Sequence, residues 1–191
     1  MQNKEFRYFK LFRDVCKVIN SSLDLKEVLM LITENIVKLI NVKACTTFLL
    51  DKSRNKLDVS ASHGLSEAYL RKGPLDADKS IAETLDGQIV LILDTSNDSR
   101  VQYPEEAKKE GIASVLSVPI TVKGQIIGVL RIYTSEQRSF SDDEYELISG
   151  LADMGGIAID NARMYDHLKA EHENLIDETH RWFEYGAALK S

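Results

Sequence analysis

The alternation of apolar and polar positions divides the chain into a helical start, a strand-rich middle and a long helical end. Between Glu5 and Asn20, the residues Phe6, Phe9, Leu11, Phe12, Val15, Val18 and Ile19 recur at helical spacing and predict an amphipathic helix. Their face is wider than one core contact needs, so this helix is expected to meet both its own domain and a second surface. A second helix is expected over 24–41. Asp24 offers an N-cap with Glu27 three residues on, and Leu25, Val28, Leu29, Ile32, Ile36, Leu39 and Ile40 follow at helical spacing. Next, Thr46, Phe48 and Leu50 alternate toward one side, "SRNK" turns the chain, and Leu57, Val59 and Ala61 alternate back, as in a β-hairpin. From Ser66 to Gly111 the signals are shorter. "SEAYLRK" and "KSIAETL" predict small helices, "QIVLILD" a short strand, and "PEEAKKEG" a helix opened by Pro104 and closed by Gly111.

Strands 114–122 and 125–133 meet at Lys123-Gly124, with Pro119 inside the first and Gly128 inside the second. A two-residue turn pairs Val122 with Gln125 and, counting back, Pro119 with Gly128. The proline then lacks an N–H only toward its other neighbour, which has to be short, bulged or absent; 88–93 is the candidate. The same count puts Leu116, Val118, Ile120, Val122, Ile127 and Val129 on a bulky face suited to a helix layer. The opposite face carries Ser117, Pro119, Thr121 and Gly128 with Ile126, Leu130 and Ile132. Its small central residues leave room for another backbone or a small ligand. The final segment opens with Ser141 as N-cap, Glu144 at the capping-box position and a Phe140/Tyr145 staple. That helix is expected to run to about residue 182, interrupted only at Gly155-Gly156. The sum is an α+β fold: an antiparallel sheet of five or six strands, helices 5–20, 24–41 and 142–180 on one face, short helices and loops on the other.

Composition narrows the function. At 191 residues and 43% apolar the chain can bury one good core. A net charge of −6 with scattered Lys and Arg argues against nucleic acid, whose phosphates demand clustered cations. No run of apolar residues is long enough to span a membrane, and the charged N-terminus lacks the apolar core of a signal peptide. Two cysteines, Cys16 and Cys45, make no metal site and read as small core residues in a cytoplasmic protein.

The order of elements, with "ASHGL", "LILDTSNDSRV", "GIASVLSVPI", "GQIIGVLRIY" and "FSDDEYELISGLADMGGIAIDNARMY", resembles a GAF domain over roughly residues 20–165. The resemblance implies a profilin-like sheet of strand order 2-1-5-4-3 and a sensory, dimerising role. It also frames the chemistry to test. Methionine sulfoxide reduction, known on this fold, needs pocket cysteines; bilin attachment needs one in the central loops, where none stands. Cyclic-nucleotide binding in the family goes with a phenylalanine where Val101 stands and a lysine where Ala113-Ser114 stand, so the sequence departs from that pattern. There is no nucleophile elbow, P-loop or GxGxxG. His167, His172 and His180 are spaced too irregularly to ligate on one helical face. No enzyme activity and no cofactor are therefore expected.

The pocket is expected between the Ser117/Gly128 face and the loops of 63–114, with His63, Lys79, Ser80, Asp94, Asp98 and Arg100 as polar candidates. Asp94, Asp98 and Arg100 also fit a salt bridge that fixes a loop, and Lys79-Ser80 fit a plain helix cap. From Leu147 a 4-3 spacing continues through Leu151, Met154, Ala158, Asn161, Tyr165, Leu168, His172, Leu175, Thr179 and Trp182, past the end of the domain-like region. A seam of that kind wants a partner helix. A homodimer is expected through Phe9, Phe12, Leu151, Met154, Ala158, Tyr165, Leu168 and Leu175. The chain divides into an N-terminal helix (1–20), a sensor domain (21–165) and a helical extension (166–191). Its expected role is to bind an unidentified small molecule and signal to a downstream domain or protein. A purely structural dimerisation module is the alternative.

Overall fold

The computed structural model of the chain describes residues 2–21, 24–51, 56–76 and 81–188, with side chains over 6–19, 24–51, 56–76 and 81–176. In chain order the elements are α1 (Gln2–Ser21), α2 (Leu25–Ile40), β1 (Ala44–Asp51), β2 (Lys56–His63), α3 (Glu67–Leu70), β3 (Leu75–Asp76), α4 (Ala82–Leu85), β4 (Val90–Ile92), α5 (Pro104–Glu110), β5 (Ser114–Val122), β6 (Gln125–Thr134) and α6 (Asp142–Ala188). The strands form one antiparallel sheet in the order β3-β2-β1-β6-β5-β4. Setting aside the two-residue edge strand β3 and counting the rest in chain order gives 2-1-5-4-3, as expected.

The main core lies between the sheet and the three long helices. Cys45, Ala61, Leu116, Val118, Ile120, Leu130 and Ile132 pack on Leu11 and Val15 of α1, Leu29, Ile32 and Ile36 of α2, and Leu147, Ile148, Leu151 and Ile159 of α6. The helix ends hold as their sequences dictate. The Asp24 carboxylate accepts the Lys26 and Glu27 N–H groups at 2.9 and 3.3 Å. At the start of α6, Ser141 donates its N–H to Glu144 Oε2 at 3.0 Å while Ser141 Oγ accepts the Glu144 N–H at 3.4 Å. The rings of Phe140 and Tyr145 stand 6.1 Å apart beside this box. Arg138 adds a tie across the layer, donating to Glu144 Oε1 at 2.8 Å and to the Ile40 carbonyl at the end of α2 at 2.8 Å.

Two expectations are corrected. α6 is continuous through Gly155-Gly156. A β-carbon on Gly156 would stand 2.5 Å from the Thr121 carbonyl oxygen, so this glycine lets the helix lie close on β5 and does not break it. The second correction concerns the β5–β6 hairpin. Its two-residue turn forms, with φ of 50° at Lys123 and 76° at Gly124, the left-handed pair of a type I′ turn. Val122 pairs with Gln125, but Thr121 then pairs with Ile126 and Ile120 with Gly128, leaving Ile127 as an extra residue. This bulge reverses the facing of everything after it on β6. Pro119 lies opposite Val129, not Gly128. Leu130 and Ile132 point into the helix-side core, while Val129, Arg131 and Tyr133 point to the other, distal side. The proline sits where its outer neighbour is absent, since β4 begins only at Val90, opposite Ser117.

Candidate ligand-binding face

The distal side of the sheet carries a row of polar side chains set between two apolar rows. Directly paired residues on antiparallel strands share a face. Ser62 pairs with Thr46, Thr46 with Arg131, and Arg131 with Ser117. Ala44, Tyr133, Val115 and Ile92 form the row on one side, and Phe48, Val129 and Pro119 the row on the other. Thr46 and Ser62 satisfy each other through a 2.8 Å hydroxyl contact. Arg131 is 4% exposed and Ser117 1% exposed.

The segment between β2 and β5 covers this row. Tyr69 of α3 meets Tyr133 edge-to-face with centroids 6.1 Å apart, and Ala107 and Ile112 join the same cluster. Ile81 and Leu85 at α4 pack with Phe48, Leu57, Leu75 and Val129. The cover is anchored by polar ties. Glu110 of α5 accepts from both the N–H and the hydroxyl of Ser66, the N-cap of α3. Tyr103 donates its hydroxyl to the Pro74 carbonyl at 3.0 Å, and Gln102 accepts the Asp76 N–H at 2.9 Å.

Positive charge gathers around the tyrosine pair. The Lys72 ammonium lies 3.8 Å above the Tyr69 ring centre, and the Arg131 guanidinium 5.7 Å from that of Tyr133. Burial, and then the Arg131 charge, push the Lys72 ammonium down to about 8, against a weaker opposing pull from Glu106 and Glu110. Burial likewise raises the Tyr69 and Tyr133 phenols above their ordinary value. Two hydroxyl oxygens, Ser117 Oγ and Thr84 Oγ1 on α4, are buried with no hydrogen-bond partner.

Of the residues singled out from sequence, Ser117 lies in this row. Gly128 does not: the bulge places it opposite Ile120 and Leu49. His63 pairs with Cys45, a helix-side core residue, so it too faces away from the row. Arg100 is engaged by Asp98 at 2.7 and 2.9 Å and by Glu83 of α4 at 3.2 Å, which holds the Asp98 carboxyl below its usual range. Asp94 instead accepts the Ser96 N–H and the Asn97 amide, closing its own turn. A salt bridge therefore does fix the loop, but it joins Arg100 to Asp98 and Glu83 and not to Asp94, the acid six residues before it that the sequence suggested. Lys79 and Ser80 lie outside the described residues. Thr46, Lys72, Thr84, Arg131 and Tyr133 were not anticipated. Arg131 had one signal: it is the sole charge in the apolar run "QIIGVLRIY".

The helical face also differs from expectation. Leu151 and Ala158 are buried in the domain's own core, and Phe12 and Met154 pack against it, because α6 lies flat on β5 and α2 up to Ile159. Leu151 and Ala158 are thereby taken up within the chain, while Phe12 and Met154 keep part of their surface exposed. Cys16 is exposed on α1, whereas Cys45 is buried, with its thiol pushed well above the ordinary range. Among the described residues, the exposed large apolar ones are Phe6 and Phe9 on α1 and Ile157, Met164, Tyr165, Leu168, Leu175 and Ile176 on α6, together with Val59, Ile89 and Leu93. Among the described residues, no helix is long and apolar enough to cross a membrane and no cluster of three potential metal ligands occurs.

The sequence model of the GAF domain family matches residues 22–160, from the start of α2 to the point where α6 leaves the sheet. The chain belongs to the GAF domain family. The formate hydrogenlyase transcriptional activator of Salmonella typhimurium is 23% identical over 177 residues, 89% of this chain and 26% of the activator. The methyl sulfide methyltransferase-associated sensor of Methanosarcina acetivorans is 28% identical over 167 residues, 84% of this chain and 17% of the sensor. The chain thus spans about a quarter or less of these relatives' length. The GAF domain of a phosphoenolpyruvate-protein phosphotransferase from Coxiella burnetii superposes with a TM-score of 0.74 at 20% identity, covering 85% of this chain and 98% of that one. GAF domains in these relatives are parts of regulatory and sensory proteins.

Proposed function

We propose that this GAF domain is a regulatory input unit that binds a small molecule on the distal face and passes the signal through its terminal helices as a homodimer. The observation that carries the reading is the pair of buried, unpartnered hydroxyls, Ser117 Oγ and Thr84 Oγ1. A buried hydroxyl without a partner costs roughly 1–3 kcal/mol, and a ligand that bonds it recovers that cost. The dimer is supported by the apolar residues that α6 exposes beyond Ile157, where the chain has no core of its own left to bury them. The output is a further domain or a separate protein, in a cytoplasmic setting.

A redox enzyme is disfavoured by the cysteines: Cys45 faces the helix layer and Cys16 sits on α1, so neither joins the polar row. The structural-module alternative has its own support in the apolar rows, which Phe48, Leu57, Ile81 and Val129 fill with side chains. Native mass spectrometry of protein purified from cells separates the two. The sensing reading expects a bound small molecule, or a ligand from a metabolite screen that raises thermal stability. A dimer that neither carries nor takes up any ligand supports the structural module.

A further inference from the structure

We propose that the part of α6 beyond Ile159 docks into a groove between α1 and α2 of a second copy, so that the two chains pair antiparallel. This rests on the homodimer reading above and names the surface that receives the helix and the direction of pairing.

The groove has a volume of about 320 Å³, with Arg7, Lys10 and Asp14 of α1 and Leu31, Asn35 and Leu39 of α2 along its walls. The α2 residues stand four apart on one helical face, so that wall reads apolar, polar, apolar. Asp14 is engaged by Arg13 at 3.2 Å. Arg7 and Lys10 have no carboxylate partner among the described residues. The far part of α6 carries the complementary pattern. Leu168 and Leu175 are exposed, with Glu171 and His172 between them. Charge agrees: α1 has five bases against two acids, whereas residues 161–188 have six acids against three bases. An amphipathic helix laid into an apolar groove between cations is a common mode of recognition.

The direction follows from the fold. Gly155 of α6 lies against Leu29 and Ile32 in the first half of α2, while Arg138, just before α6, reaches the Ile40 carbonyl at the end of α2. The two helices therefore run antiparallel. Three residues separate α1 from α2, which makes that pair an antiparallel hairpin. α1 thus runs in the same direction as α6, with Phe12 against Gly150. The groove lies beside the part of α6 that rests on the domain. Leu168 and Leu175 stand roughly 13 and 24 Å further along the axis, at 1.5 Å per residue past Ile159. Because α6 is continuous, it leads these leucines away from their own groove. A parallel copy carries its leucines away as well, whereas an antiparallel copy brings them back over the groove. Two-fold symmetry then makes the contact twice. In this direction Leu168 comes level with Leu31 and Leu175 with Leu39. The handedness of the helix turns Glu171 toward Lys10 on α1 and His172 toward Asn35 on α2.

The experiment uses the full 191-residue chain. The dimer dissociation constant is measured by analytical ultracentrifugation for the parent, Lys10→Glu, Glu171→Lys and the double variant. Both side chains are exposed, so the variants should fold. Each single reversal should weaken the dimer roughly tenfold, since two symmetric contacts change together, and the double variant should return to within about threefold of the parent. Leu175→Cys in a Cys16→Ser background should form no disulfide between copies, because antiparallel pairing holds the two thiols far apart. A dimeric parent whose single variants are unaffected, a double variant that fails to recover, or a Leu175→Cys disulfide between copies overturns the groove and leaves the homodimer intact. A parent that is monomeric at tens of micromolar removes both.

Discussion

Gly128 and Phe48 approach so closely that a β-carbon on Gly128 would stand 2.2 Å from the Phe48 carbonyl oxygen. The atom in the way is backbone of the neighbouring strand, so it cannot swing aside. Gly128→Ala should destabilise the domain by about 1–3 kcal/mol, the usual cost of forcing extra volume into a packed site. Urea unfolding measures it. A loss below a few tenths of a kcal/mol would mean that β1 and β6 separate more easily than this contact implies. Because Gly128 lies off the polar row, a variant that still folds should keep its ligand affinity.

Arg138 holds three groups at once: the Glu144 carboxylate and the Ile40 and Asn41 carbonyls. It therefore joins the end of α2 to the start of α6. Arg138→Ala leaves Glu144, 9% exposed, without its cation and frees the last carbonyls of α2. About 1–3 kcal/mol of stability should be lost, the range for an unsatisfied buried polar group. Glu144→Gln keeps the capping geometry and should cost less. Equal losses for the two variants would show that the ion pair with Glu144, and not the tie to α2, is what matters.

The sheet order, the three long helices and the α6 cap were legible because each rests on local chemistry: periodicity, an N-cap, a turn that accepts positive φ. The polar row was not legible, and the reason is one residue. Counting back from a correct Lys123-Gly124 turn gives the right pair only as far as Thr121, because Ile127 is bulged out. Past that point each side chain of β6 is assigned to the wrong face. Arg131 and Tyr133 then fall outside the predicted pocket while Gly128 falls inside it. A bulge is set by how β1 and β6 meet at Phe48 and Gly128, which neither strand's own pattern reveals. Likewise His63 reads as a loop residue beside the pocket until its pairing with Cys45 fixes its face.

Lys72 gives the domain a specific response to alkali. Burial and the Arg131 charge lower its ammonium from an ordinary 10.5 to about 8 in the folded chain. Below pH 8 both folded and unfolded states hold the proton, and the folded state bears the cost of the buried charge. Between about 8 and 10.5 the unfolded chain binds more protons than the folded one, so stability rises with pH through that window. The raised Tyr69 and Tyr133 phenols work in the opposite direction above pH 10, and they are common to parent and variant. Subtracting the urea stability of Lys72→Met from that of the parent at each pH isolates the lysine. The difference should climb in favour of the parent from pH 8 to 10. A flat difference would show that the ammonium is solvated in the folded state.

Leu168 and Leu175 lie one heptad apart on the part of α6 that has left the sheet, and both are mostly exposed in a single chain. Ile157, Met164 and these two leucines continue a 4-3 spacing that starts where the intradomain face ends. Leu151 and Ala158, one face round, are already consumed by the domain core. If a second copy covers the exposed stripe, charging it should separate the chains without touching the fold. Leu168→Glu/Leu175→Glu is expected to run as a monomer in light scattering at concentrations where the parent is a dimer, with unchanged urea stability of the sheet domain in the dissociated range. A parent that is itself monomeric at micromolar concentration would remove the homodimer. A double variant that stays dimeric would move the interface to Phe6 and Phe9, which α1 also leaves exposed. In that case Phe9→Glu should dissociate it, and the α6 extension would be left for the output partner.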